Sequence, residues 1–168
     1  DDIPFAEGLE HLPVEQAVEG EYHYLHEPAM AFRGGALYAC WANGPRGETN
    51  THSELIRGRR SRDGGRTWSA IEIVAPGGET LAHNHPVMLS HESGLWVFAA
   101  RWEDRARLFM EAFRLDESAG RWVSAGKLAD EFVPFDRPKR TTDGNWIIGG
   151  EHGFYGGPKV LISRGDDL

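Results

Sequence analysis

The stretch HEPAMAFRGGALYACWA (26–42) places a short extended segment after Pro28, a turn at Arg33-Gly34-Gly35, and then the apolar run ALYACW. Two further stretches follow the same plan. NHPVMLSHESGLWVFAAR (84–101) aligns on Pro86 and turns at Glu92-Ser93-Gly94, while DRPKRTTDGNWIIGGE (136–151) aligns on Pro138 and turns at Asp143-Gly144. Apolar, aromatic and β-branched runs bounded by Gly turns are the signature of β-hairpins. The second half of each unit recurs as well. SELIRGRRSRDGGRTWSAIEIV (53–74) and RLFMEAFRLDESAGRWVSAG (107–126) both read strand, turn, strand, with Asp63 and Trp68 in one turn and Asp116 and Trp122 in the other. A third copy opens at PKVLISRGDDL (158–168) and stops before a final strand.

Four strands in about 50 residues make one propeller blade. The expected fold is therefore all-β, a β-propeller of four-stranded antiparallel blades at 22–75, 83–126 and an incomplete 134–168. Because propellers close with about four to eight blades, the chain is read as part of a six- or seven-bladed ring. The remaining blades are then expected partners, and residues 1–21 are read as the end of a preceding blade or a closing strand.

Composition narrows the function. The 168 residues are 40% apolar and carry a formal charge of −8. An acidic chain lacks the basic field that non-specific nucleic-acid binding relies on. The cluster Arg57, Arg59, Arg60, Arg62 and Arg66 reads as a solvated strand edge. No run approaches the ~20 apolar residues of a membrane-spanning helix, so no membrane insertion is expected. Cys40 is the single cysteine, which excludes an internal disulfide or a thiolate zinc cluster and suggests a buried free thiol. Phosphate-loop, dinucleotide-fingerprint and nucleophile-elbow motifs are absent, and no cofactor is expected.

Position within a blade says where a site belongs. The first strand runs along the central channel, so residues before each aligned Pro lie near one mouth, and the second-to-third connection returns to that face. The segments falling there, YHYLHEP, WANGPRGETNTHSE, LAHNHP, RWEDR, PFDRP and GEHGFYGG, are rich in polar chemistry, as loops carried by a rigid scaffold often are when they bind ligands. His26 precedes Pro28 at the place equivalent to Asn84 and Asp136, and an imidazole there is either a hydrogen-bonded structural group or an acid–base group. His83 and His85 alternate, which on a regular strand places both on one face; this suits a metal, but no carboxylate stands beside them as an obvious third ligand. Arg46, Arg101 and Arg137 are candidates to clamp a carboxylate bidentately. Glu48, Glu103 and Glu151 are candidate general acids, and Tyr155 supplies a phenol at the same rim. Trp41 and Trp102 are candidate sugar-stacking rings, although both suit packing.

The turn SRDGGRTW (61–68) resembles in full the Asp box of sialidases and their relatives, Ser-x-Asp-x-Gly-x-Thr-Trp, through Ser61, Asp63, Gly65, Thr67 and Trp68. The sequences RLDESAGRW and SRGDDL fall where the next boxes belong. In a sialidase the first blade opens with Arg-Ile-Pro, whereas here Leu25-His26-Glu27-Pro28 puts His26 at the Arg position. The order of segments in 26–64 is more similar to the ulvan lyases and related α-L-rhamnosidases on seven-bladed propellers. That resemblance implies an extracellular or periplasmic carbohydrate-active protein acting on an oligosaccharide or polysaccharide. It implies a catalytic role for His26 with Arg101 as a carboxylate partner; from their place at the mouth, Tyr155 is a further catalytic candidate and Glu48, His83, His85, Arg137 and Glu151 are candidates for substrate binding. Glycoside hydrolysis in an acidic glycan is the expected reaction. β-Elimination on a uronic acid and non-catalytic carbohydrate binding stay open beside it, since fold alone does not fix function. The box itself sits at a third-to-fourth turn, on the face opposite the mouth, and its expected role is structural.

Overall fold

The structure is a computed structural model and describes residues 8–45, 47, 53–104 and 106–165. Every regular element among the described residues is a strand. The first sheet contains β1 (Tyr24–Arg33), β2 (Ala36–Gly44), β3 (Leu55–Ser61) and β4 (Glu72–Ala75), hydrogen-bonded in chain order. The second repeats that order with β5 (Leu81–His91), β6 (Gly94–Glu103), β7 (Arg107–Asp116) and β8 (Arg121–Asp130). In the third, β11 (Trp146–His152) pairs with β12 (Gly157–Ile162) on one side and with both β9 (Phe132–Pro134) and β10 (Lys139–Arg140) on the other. The fold is a run of β-propeller blades.

Blades stack face to face, so their middle strands are buried on both sides and read as continuous apolar runs. Between the first two blades, Tyr38, Cys40, Ile56 and Val74 meet Met88, Val97, Phe113 and Leu115. Between the second and third, Val87, Phe98 and Met110 meet Phe132, Trp146 and Ile148. A fully buried side chain such as Ile56 or Val97 contributes about 1.5–3 kcal/mol. Cys40 is buried and free, and burial pushes its thiol pKa far up. The first hairpin closes through Gly34 and Gly35, both at positive φ (56° and 75°), as a two-residue turn between paired Arg33 and Ala36 demands.

The aligned prolines break the ladder. Pairing slips between His26 and Ala29 in the first blade and between Asn84 and Val87 in the second, because proline has no N–H to donate. Glu27 and His85, the residues before Pro28 and Pro86, take left-handed φ values of 54° and 49°. Around Pro138 the same slip is wider. Phe135 and Asp136 both donate their N–H to the Gly149 carbonyl, and the continuous first strand that the alignment suggests is split into β9 and β10.

At the far turn, Asp63 accepts hydrogen bonds from the Ser61 hydroxyl (2.8 Å), the Thr67 N–H (2.9 Å) and the Thr67 hydroxyl (2.6 Å). These bonds hold its carboxyl well below the usual range. Gly65 sits at φ 92°, donates its N–H to the Ser61 Oγ (2.8 Å) and lies against the Trp68 ring.

Candidate functional site

The first strands of the three blades lie side by side, and their slipped segments line a groove of about 370 Å³. Glu27 and Pro28 line it from the first blade, His85 and Pro86 from the second, Phe135 and Arg137 from the third. A larger cleft, of about 620 Å³, lies on the opposite face beside Arg33, Trp96 and Arg114. Its arginines already have partners: Arg33 donates to Glu117 (2.5 Å) and to the His91 carbonyl (2.6 Å), and Arg114 covers the Trp96 ring. The groove is the better site because it gathers polar groups from every described blade.

Glu27 and His85 join two blades. The His85 backbone N–H donates to Glu27 Oε2 (2.6 Å), and its ring Nε2 lies 2.8 Å from Glu27 Oε1. Burial raises the Glu27 pKa, but hydrogen bonds and charge from His26 and His85 outweigh it and hold the carboxyl at about 2. His26 stands behind Glu27. Its Nδ1 is 3.3 Å from Glu27 Oε1, and its Nε2 bonds Glu54, whose side chain is 1% exposed. With a carboxylate on each ring nitrogen, both must donate, so the ring is an imidazolium. Burial alone lowers its pKa, yet Glu27 and Glu54 raise it to about 10. The neutral acid–base behaviour that an unperturbed His26 would have is thereby removed.

The network continues inward. Asn84 Nδ2 donates to Glu54 Oε2 (3.1 Å), and Trp102 Nε1 donates to Asn84 Oδ1 (2.9 Å). Trp102 is 6% and Trp41 4% exposed, so both rings pack in the interior rather than offering a face to a sugar.

A second network holds other expected residues. His83 places Nδ1 2.6 Å from the Pro76 carbonyl and Nε2 3.1 Å from Glu111 Oε2. Arg101 donates to Glu111 (2.9 Å) and Glu103 (2.6 Å). Burial raises the Glu111 pKa, but His83, Ser124 and Arg101 hold it at about 2. The alternating His83 and His85 thus serve different partners, because the bulge at His85 breaks the regular strand. Tyr155 lies in the β11–β12 turn, 91% exposed, next to Phe154, whose ring meets Trp102 edge-on. Glu151 is on β11 opposite Val133. Neither Tyr155 nor Glu151 lines the groove, and Arg46 and Glu48 lie outside the described residues. Of the expected site residues, His85 and Arg137 line the groove and His26 supports it. Glu27 and Glu54 carry the network, and the sequence signal for Glu27 was its place at the His-Glu-Pro bulge.

No protein-family model matches the sequence, and no curated protein matches it. Solved structures do match its fold. The Hadza microbial sialidase Hz136 aligns over 86% of this chain and 36% of its own, with TM-score 0.63 and 14% identity. The Penicillium chrysogenum α-L-arabinanase complexed with arabinobiose aligns over 84% and 47%, with TM-score 0.64 and 19% identity. For the Trypanosoma rangeli sialidase in complex with sialic acid the values are 98%, 31%, 0.62 and 12%. The chain spans between about a third and a half of each of these structures, and what it shares with them is the β-propeller fold.

Proposed function

We propose that this chain is part of a carbohydrate-active β-propeller that binds an acidic glycan along the groove and hydrolyses a glycosidic bond in it. Arg137 carries the reading. Glu27 is paired with two histidines and Asp136 with Lys139, whereas the Arg137 guanidinium, exposed on the groove beside Asp136, makes no hydrogen bond among the described residues. A guanidinium whose donors are open selects a carboxylate, which it binds through two parallel hydrogen bonds. Pro28, Pro86 and Phe135 add apolar surface for the C–H faces of a sugar ring. Fold-mates that carry sialic acid or arabinobiose support a sugar ligand by analogy.

Non-catalytic binding is the second reading, and one observation favours it. His26 at about 10 and Glu27 at about 2 are too far from neutrality to exchange protons efficiently near pH 7.

The test is incubation with sialate- and uronate-bearing oligosaccharides and neutral arabino-oligosaccharides, following reducing ends, ultraviolet absorption and heat of binding. New reducing ends from acidic glycans alone support the hydrolase. An absorbing unsaturated uronide would mean elimination instead. Heat without products leaves a binding module, and preference for neutral glycans would remove Arg137 from its role.

A further inference from the structure

We propose that His85 is the proton-transfer residue of the groove, with Glu27 as its orienting carboxylate and His26 and Glu54 as positioning residues behind it. The inference rests on the hydrolase reading and assigns its chemistry to one side chain. Three features separate His85 from His26. Its ring lines the groove and is 29% exposed, against 13% for His26, which does not line it. Only Nε2 of His85 is engaged, by Glu27; Nδ1 has no partner among the described residues, whereas both nitrogens of His26 face carboxylates. The Phe135 ring lies 5.1 Å from the imidazole and restricts its rotation.

The Glu27 carboxylate therefore fixes the tautomer, with the proton on Nε2 and Nδ1 open to a ligand. A base held by an orienting carboxylate is the arrangement by which acid–base residues are set. Glu27 has a second anchor in His26, which is itself held by the buried Glu54, so the orienting group is fixed from behind. A left-handed backbone at a non-glycine residue is strained, and such strain clusters at functional sites.

In the step, His85 with both nitrogens protonated gives its Nδ1 proton to the glycosidic oxygen as the C–O bond to the anomeric carbon breaks. Water adds its oxygen to that carbon, and the proton it loses returns to Nδ1. The charged groups facing this ring are Glu27 from β1 and Asp136 and Arg137 from the segment between β9 and β10.

Two variants and an NMR measurement on the ring test this. His85→Gly accepts the left-handed φ, so the fold is retained, and His85→Gln removes the acid–base nitrogen at similar size. Turnover falls at least about 100-fold in both while KM moves far less, and added imidazole restores part of the His85→Gly rate. Nitrogen-15 NMR shows the Nε2 proton held against Glu27 and the Nδ1 shift displaced by bound acidic glycan. Glu27→Gln moves the pH limb of kcat. Turnover within tenfold of wild type in either variant, or an Nδ1 whose shift does not respond to bound glycan, overturns the assignment to His85. If the wild-type protein processes no glycan, the hydrolase reading itself falls and the catalytic role with it.

Discussion

Glu27 and His85 hold equivalent places before the aligned prolines of adjacent blades, and they bond each other twice, through the His85 N–H (2.6 Å) and through its ring (2.8 Å). Two irregularities that each weaken their own sheet are thus tied into one inter-blade clasp. The groove opens directly beside it.

This clasp makes stability depend on pH in a defined way. His26 is raised from 6.5 to about 10, so its contribution is full below 6.5 and is lost as pH rises through about 10. Glu27 is lowered from 4.5 to about 2, so its contribution is full above 4.5 and is lost as pH falls through about 2. The stability gap between wild type and Glu27→Gln, read from denaturant unfolding, is widest between pH 4.5 and 6.5 and narrows on both sides. A gap that does not vary with pH would contradict the charged pairing.

Glu54→Ala leaves the His26 ring cation and the Asn84 amide without their buried acceptor. Removing one partner of a buried ion pair costs about 3–5 kcal/mol. Urea unfolding is expected to show a loss of that size, with Glu54→Gln intermediate because it can still accept. NMR of the same variants follows the His26 ring, whose pKa falls when Glu54 is removed.

Ser61→Ala removes the acceptor of the Gly65 N–H and a donor to Asp63, at a site 2% exposed. The expected loss is about 1–3 kcal/mol. Asp63→Ala lowers Tm as well. Both substitutions leave glycan affinity unchanged by calorimetry, since the turn lies away from the groove; a matching loss of affinity would place it in the site.

Gly150→Ala tests the third blade. A Cβ there would sit 2.1 Å from the Val133 carbonyl oxygen and 2.7 Å from the Phe132 ring, and a backbone oxygen cannot swing away as a side chain can. β9 must detach from β11 or the strand must shift, so hydrogen exchange at Val133 and Glu151 accelerates and Tm drops. Gly149→Ala, with open space around its Cβ, is the control.

Much of the blade pattern was legible because it is local. Pro-anchored segments, Gly turns and apolar runs recur at one spacing, and each signals its element without knowledge of the partner strand. The split of the third first strand was not legible, since it depends on two amides meeting one carbonyl across the sheet. Among site residues, the sequence offered Arg137 and His85 near the channel mouth, and both line the groove. It also offered His26 and Arg101 as catalytic candidates and His83 as a substrate-binding one. His26 is held by Glu54 and His83 by Glu111, each 28 residues away in sequence and without any motif to announce it, and Arg101 bonds Glu103 and Glu111.

By itself, then, the sequence determined the all-β blades, their order and the end of the strands where polar residues collect, because periodicity and turn chemistry act over a few residues. Tertiary structure alone decided which histidine is charged and which, among the described residues, keeps a nitrogen open to the groove. The decision rests on burial and on distances between side chains of different blades. Desolvation and opposite charge within hydrogen-bonding reach set a proton's place, and neither quantity exists until the blades are stacked.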